Sequence, residues 1–292
     1  MERINREHVI YEMNKENKPA LSVDSDTTVV FETQDCFSGE VQTEADTVSD
    51  IDFSTVNPAT GPLYVNDAEI GDTLKVTIKK ITLEDEGAVL TAPGLGMFAD
   101  DIEKEETAIA EVTDNATLYK GHKVPLRKMV GVIGTAPAGD GVNTGTPDDH
   151  GGNLDTTLLG EGTILYLPVN VAGGLLAMGD MHSSMGDGEI MGSGLEIAGE
   201  IEVHVEVVKE NKFPLPFVET EDLYATLASR ETMEEASKLA LDNMVKFVQE
   251  NSDLTFNQAG MLLSIAGDLK VSQAVNPNKT MRVELRKDVL EK

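Results

Sequence analysis

The sequence predicts an α+β fold that is mainly β. An antiparallel β-sandwich or barrel-like body over residues 1–212 is followed by a C-terminal α/β subdomain over 213–292, with two helices and a hairpin. Three observations predict it. Apolar residues alternate at close to period two in runs such as Leu74, Val76, Ile78 and Ile81, and again in Glu200-Ile201-Glu202-Val203-His204-Val205-Glu206-Val207. Clusters of Gly, Pro, Asn and Asp separate these runs. An apolar spacing of three and four replaces the alternation only beyond residue 230.

Taken in order, residues 8–14 and 27–33 read as strands, with turns at Lys18-Pro19 and Asp24 to Asp26. The run 29–37 ends in Asp35 and Cys36. Asp35 is a turn aspartate or a ligand offered at a strand end. Cys36 is a small buried hydrophobe or a nucleophile, and no His or Lys lies beside it in sequence to activate it. Residues 39–56 are acidic and turn-rich and read as a surface excursion, and 57–62 as a rigid turn holding two prolines and a glycine. Residues 63–85 read as strand, turn (Glu69 to Asp72) and strand. The Gly-rich stretch after Gly87 is expected to be a loop, either simply packed or covering a ligand with Met97 and Phe98; residues 107–120 read as paired strands. Seven glycines and two prolines between Gly131 and Gly152 predict a long loop, a feature that is usually functional when ordered. Residues 162–171 read as a buried strand, and His204, in phase with Glu202 and Glu206, is placed on a solvent face.

Phe213-Pro214-Leu215-Pro216-Phe217 breaks the β pattern and marks the boundary between the two parts. A short strand over 223–228 precedes a capping box, Thr232 to Glu235, which opens a helix whose apolar face carries Ala236, Leu239, Ala240, Met244, Phe247 and Val248. A second box, Thr255 to Gln258, opens a helix that stops at Gly267. Residues 269–275 and 280–285 close the chain as a hairpin, from which Asp268 or Gln273 can reach a neighbouring site.

Composition narrows the function. The 292 residues suffice for a sizeable core, which must be aliphatic because aromatics are 4% and Trp is absent. A net charge of −29 opposes binding to nucleic acid or to anionic membranes and suits cations or neutral small molecules. There is no apolar run long enough to span a membrane, and the polar N-terminus does not read as a signal peptide. A single cysteine fits a cytoplasmic location.

The chemistry concentrates in residues 173–202, which place Asp180, His182, Asp187 and Glu189 within ten residues among several glycines. In an extended chain Asp180 and His182 share a face, as do Asp187 and Glu189, and Gly186 and Gly188 allow the two pairs to converge. Converging imidazole and carboxylates suit a divalent metal; the alternative is a polar hairpin in water.

GDMHSSMGDGEIMGSGLEI in this stretch resembles the signature segment of the acetamidase/formamidase family. The blocks at 31–41, 57–76, 130–155 and 262–277 resemble other parts of that family in the same order. The resemblance implies a metal-dependent hydrolase that cleaves short aliphatic amides, formamide or acetamide, to ammonia and the acid, and a homodimer or higher assembly. It also moves Asp35, His150 and Asp155 from turn or surface residues to metal ligands, beside Asp180 and His182. His150 stands in GTPDDHGGNLD, which is similar to the family's PHGGNxD-like block but has Asp149 before the histidine. Two histidines with several carboxylates suit zinc, and the surplus of carboxylates a second ion such as calcium. Glu189 is expected to be the acid/base, with Asp187 second, because a longer carboxylate outside the metal's shell is free to move a proton. A Ser-Ser-Lys route is disfavoured because Ser183 and Ser184 have no lysine within the central stretch. The rival readings are a non-catalytic, metal-stabilised binding or structural protein and a hydrolase of another small amide, such as a cyclic one.

Overall fold

Leu176–His182 is the strand about which one of two large sheets is built, and every one of its residues is buried. The computed structural model describes residues 1–211 and 213–291. Lys212, the last residue of the body assigned from sequence, lies outside the described residues. Among them, a nine-stranded sheet runs in the order Glu2–Ile4, Thr27–Thr33, Gly199–Val208, Thr73–Leu83, Ile164–Pro168, Phe217–Glu219, Leu223–Arg230, Lys279–Arg286, Gly267–Gln273. The other sheet runs from His122–Pro125 through Ala116–Tyr119, Glu106–Val112, Glu86–Thr91 and Glu196–Ile197 to Leu176–His182, Met129–Gly134 and Gly151–Asn153, and Ala59–Val65 also joins it at Leu176–His182. The sheets are mostly antiparallel, they are not closed into a barrel, and the chain is mainly β with two helices, as expected for the α+β class.

The core between the sheets follows from the alternation. Leu74, Val76, Ile78 and Ile81 are fully buried, as are Ile201, Val203 and Val205, and they meet Val130, Ile133, Met178 and Met181 of the second sheet. Glu202, His204 and Glu206 are half-buried on the opposite face. His204 Nε2 lies 3.0 Å from Asp26 there, and Lys75 lies 2.7 Å from Glu206.

Both helices start as their capping residues require. Thr232 accepts from the Glu235 amide at the head of Met233–Glu250. Thr255 and Gln258 satisfy each other's backbone at the head of Phe256–Ala266. The longer helix packs against Leu223–Arg230 and Lys279–Arg286, burying Ala240, Met244, Phe247 and Val248 in a second core with Phe217, Val283 and Leu285. No helix among the described residues is long and apolar enough to cross a membrane.

Two glycine-rich stretches that read as non-regular are strands. Residues 59–62 open the strand Ala59–Val65 instead of forming a turn; a Cβ at Gly61 would sit 2.9 Å from the Leu176 carbonyl of the paired strand, so glycine is there for close approach. Gly131 to Gly134 belong to Met129–Gly134, so the expected loop begins only at 135. Glycine marks close approach at both places, not disorder of the ladder.

Candidate functional site

Asp180 stands where its strand changes neighbour. Gly179 pairs with Ala59, whereas Met181 and His182 pair with Ile197 and Glu196. On the other side Val132 pairs with Gly179 and Val130 with Met181, leaving Gly131 opposite Asp180. In this gap Asp180 takes φ 54°, a left-handed conformation that costs a non-glycine residue about 1–3 kcal/mol. The period of the strand points Asp180 and His182 to one face, and cross-strand pairing sets Glu196 beside His182. Glu196 Oε2 lies 3.0 Å and Asp180 Oδ1 3.6 Å from His182 Nε2.

Two further carboxylates enter from loops. Asp155 follows the strand Gly151–Asn153 with φ 39°, and Glu189, in the loop after His182, has φ 48°. Ligand atoms of Asp155, His182 and Glu189 lie within 4.8 Å of one another, and so do those of Cys36, Asp180 and Glu196. All six residues are buried. The loop of Glu189 is tied down where the Gly188 amide donates to the Ser272 carbonyl (2.8 Å) and the Ala274 amide donates to the Gly188 carbonyl (3.1 Å). The C-terminal hairpin thus reaches the site beside Gln273, which bridges to Gly188.

Gly131 makes the approach possible. A Cβ there would fall 2.5 Å from Asp155 Oδ1 and 2.7 Å from Asp180 Oδ2. Gly131→Ala is therefore expected to push the two carboxylates apart and to destabilise the protein by about 1–3 kcal/mol, read as a lower denaturation midpoint in urea. Asn276 fixes the other side of Asp155. Its Nδ2 donates to Asp155 Oδ2 at 2.7 Å and to the Asn153 carbonyl at 3.2 Å. Asn276→Ala is expected to cost about 1–3 kcal/mol in the same measurement, because a buried carboxyl oxygen loses its donor.

The electrostatics are those of an acid cluster with one base. Burial, with the nearby Asp180 charge, pushes Asp155 up to about 7 against the pull of His182. Burial likewise pushes Glu196 up to about 8. Glu189 is raised well above the carboxylate range by burial and then by Asp155. Burial opposes the charge on His182, yet Glu196 and Asp180 hold its proton well above the ordinary histidine range. Asp180 is the exception: burial acts upward, but its contact with His182 holds it below its ordinary value. Burial, then the charges of Glu196 and Asp180, keep the Cys36 thiol protonated, and Cys36 Sγ donates to Asn57 Oδ1 at 2.8 Å.

The arrangement fits a divalent cation. Asp155 Oδ1, Asp180 Oδ1, both His182 ring nitrogens, Glu189 Oε2 and Glu196 Oε2 are buried without a hydrogen-bond partner. The 3.0 Å contact between Glu196 and His182 lacks hydrogen-bond alignment. Orphaned buried atoms of this kind call for an ion or water. Ligands about 2.0–2.3 Å from one cation lie at most about 4.6 Å apart, close to the spacing found, and the N, O and S donor set is one that zinc accepts.

Of the residues singled out from sequence, the structure brings Asp155, Asp180, His182 and Glu189 together. Asp35, His150 and Asp187 belong to neither ligand group. The Asp35 carboxylate accepts from the Phe37 and Gly39 amides at 2.8 and 3.1 Å, in the manner of a turn aspartate. His150 is buried with Nε2 unpartnered, and burial lowers its pKa. Asp187 is held by Arg282 at 2.7 Å and by Thr157 at 2.6 Å. Sequence reasoning missed Glu196, whose signal was a lone carboxylate inside the apolar run Leu195 to Ala198. It also set Cys36 aside for want of neighbours that only the fold supplies.

Comparison with known proteins adds the following. A family model described as the acetamidase/formamidase family matches residues 5–141 and 138–292. An acetamidase from Bacillus halodurans superposes with a TM-score of 0.98 at 47% identity, over 99% of this chain and 98% of that one. A predicted acetamidase/formamidase from Thermoanaerobacter tengcongensis superposes with a TM-score of 0.96 at 41% identity, over 99% and 96% of the two chains. A formamidase from Methylophilus methylotrophus is 42% identical over 84 residues, which take in 28% of this chain and 21% of that enzyme. The chain matches well under two thirds of that curated relative's length.

Proposed function

Because the chain belongs to the acetamidase/formamidase family, we propose that it hydrolyses the C–N bond of a small neutral amide, formamide or acetamide in the first instance, to ammonia and the carboxylic acid. The observation that carries this reading is the set of six buried, unpartnered ligand atoms around His182. Three of the carboxylates that provide them are held in a left-handed backbone conformation. Strain and desolvated charge concentrated at one point mark a site built for chemistry.

In this reading Asp155, Asp180, His182 and Glu196 hold a divalent cation, zinc first, and the surplus of carboxylates leaves room for a second, harder ion such as calcium. When bound, the cation supplies Lewis-acid stabilisation of negative charge on the amide oxygen. Glu189 Oε2 removes a proton from the attacking water as its oxygen bonds to the carbonyl carbon, and returns it to the nitrogen as the C–N bond breaks, so that ammonia leaves. Asp187 exchanges no proton: paired with Arg282 and bonded to Thr157, it fixes the loop that carries Glu189. Burial of the whole cluster excludes bulk water from this exchange. Cys36 is given no nucleophilic role in this reading, since burial and then the charges of Glu196 and Asp180 oppose the thiolate. The reading extends to a homodimer or higher assembly in the cytoplasm.

The test is ammonia release from formamide and acetamide by protein of measured metal content. Steady ammonia production with matching acid is expected. Protein with a full complement of metal that releases no ammonia from any primary amide would overturn the proposal.

A further inference from the structure

The buried cluster adjoins a cavity of about 340 Å³ whose wall includes Glu189 and Gly194. Gly194 lies directly against the histidine ring: a Cβ at that position would lie 2.8 Å from His182 Cγ. Asp187, Thr117, Ser184 and Ser193 contribute to the lining, but most of the rest is apolar. Val89, Tyr119 and Val124 come from the strands Glu86–Thr91, Ala116–Tyr119 and His122–Pro125, and Met185, Ile190 and Leu195 from the loop that carries Glu189. A larger cavity reaches the cluster at Glu196, but it is lined by Asp35, Glu84, Asp85, Glu86 and Glu111 and offers little to a hydrocarbon chain. The site therefore has one apolar side and one acidic side.

Formamide has no carbon beyond its carbonyl and acetamide has one, so neither uses this apolar surface. The volume lies at the lower end of the range for small-molecule sites, roughly 300–1,000 Å³. Ile190, Tyr119 and Val124 are 54%, 39% and 37% exposed and would be covered by an occupant. The occupant must also be neutral, because Glu189 lines the same cavity.

We propose that this cavity is the acyl subsite and that the preferred substrate is a primary amide with an aliphatic acyl group of about four to six carbons. The proposal rests on the amidase reading for its reaction, but the subsite can be tested without turnover. Each methylene moved from water into the cavity is expected to raise kcat/KM about fourfold, which makes butanamide about 16-fold better than acetamide.

The experiment compares kcat/KM for formamide, acetamide, butanamide and 3-methylbutanamide, in the native protein and in Val89→Phe and Val124→Phe, which narrow the cavity without touching the acid cluster. The expected result is a rise with acyl length in the native protein, and variants that keep acetamide hydrolysis but lose the rise. Inhibition constants for acetone, 2-pentanone and 4-methyl-2-pentanone, ketones that mimic the amide but cannot be hydrolysed, should fall in the same order. A second readout is the thermal shift each ketone causes in metal-loaded protein. Acetamide hydrolysed at least as well as butanamide, or variants that lower both equally, would overturn the subsite. Ketones that bind in the expected order to a protein inactive on every amide would leave the subsite standing and remove the amidase reading instead.

Discussion

Glu189→Gln is expected to lower kcat for acetamide by about 10²- to 10⁴-fold, the usual contribution of a positioned acid/base, and to leave the fold and metal content unchanged. The amide has nearly the shape of the acid, so it can occupy the same buried loop position at φ 48° without new strain. It cannot take a proton from water. His182→Ala is expected to lose both activity and metal, because Glu196 and Asp180 are then left facing each other without the imidazole between them. Metal analysis of both variants separates the roles. If Glu189→Gln also loses its metal, Glu189 is a ligand, and the proton carrier must be sought elsewhere.

Chelated protein is expected to lose stability steeply as pH rises from about 5.5 to 8.5, whereas metal-loaded protein is not. In unfolded chain, carboxyl groups titrate near 4. Asp155 is raised to about 7 and Glu196 to about 8 in the folded state, and Glu189 is raised too. Between those limits the native protein holds protons that the unfolded chain has lost, so stability falls with rising pH, by on the order of 1.4 kcal/mol per pH unit for each such group. His182 acts in the same direction: its folded-state pKa is raised, so its contribution is complete below the ordinary histidine value and is lost as pH climbs through the raised one. Asp180, whose pKa is lowered, supports the fold above its ordinary value and withdraws that support only in acid, outside this window. A bound cation takes the place of the protons and flattens the dependence; by the same linkage its affinity rises with pH. Thermal unfolding at the two pH values, with and without chelator, checks this. Chelated protein as stable at pH 8.5 as at 5.5 would contradict it.

The parts of the fold that were legible in the sequence are those where local chemistry and burial agree. Ile201, Val203 and Val205 alternate because one face of their strand is core. Thr232 and Thr255 announce helices because their hydroxyls satisfy the first free amides. Legibility fails at Gly61 and Gly131, where glycine serves a contact from a distant segment and only looks like a loop signal. The site divides in the same way. Asp180 and His182 lie two apart on one strand, a spacing that sequence can show. Glu196 sits on a strand of two residues, too short to carry a period, and meets His182 only through pairing. Asp187 shares a sequence phase with Glu189, but Arg282 of the C-terminal hairpin claims its carboxylate, a partner that no local reading supplies.

The most direct test of a cation-dependent amidase centred on His182 is ammonia release from acetamide by one preparation in three states: as purified, stripped by chelator, and reloaded with zinc, calcium or both. The expected result is activity that disappears on stripping and returns in proportion to metal bound at the native site, with reloaded Glu189→Gln slower by about 10²- to 10⁴-fold. Full activity in protein shown by elemental analysis to hold no metal would contradict it.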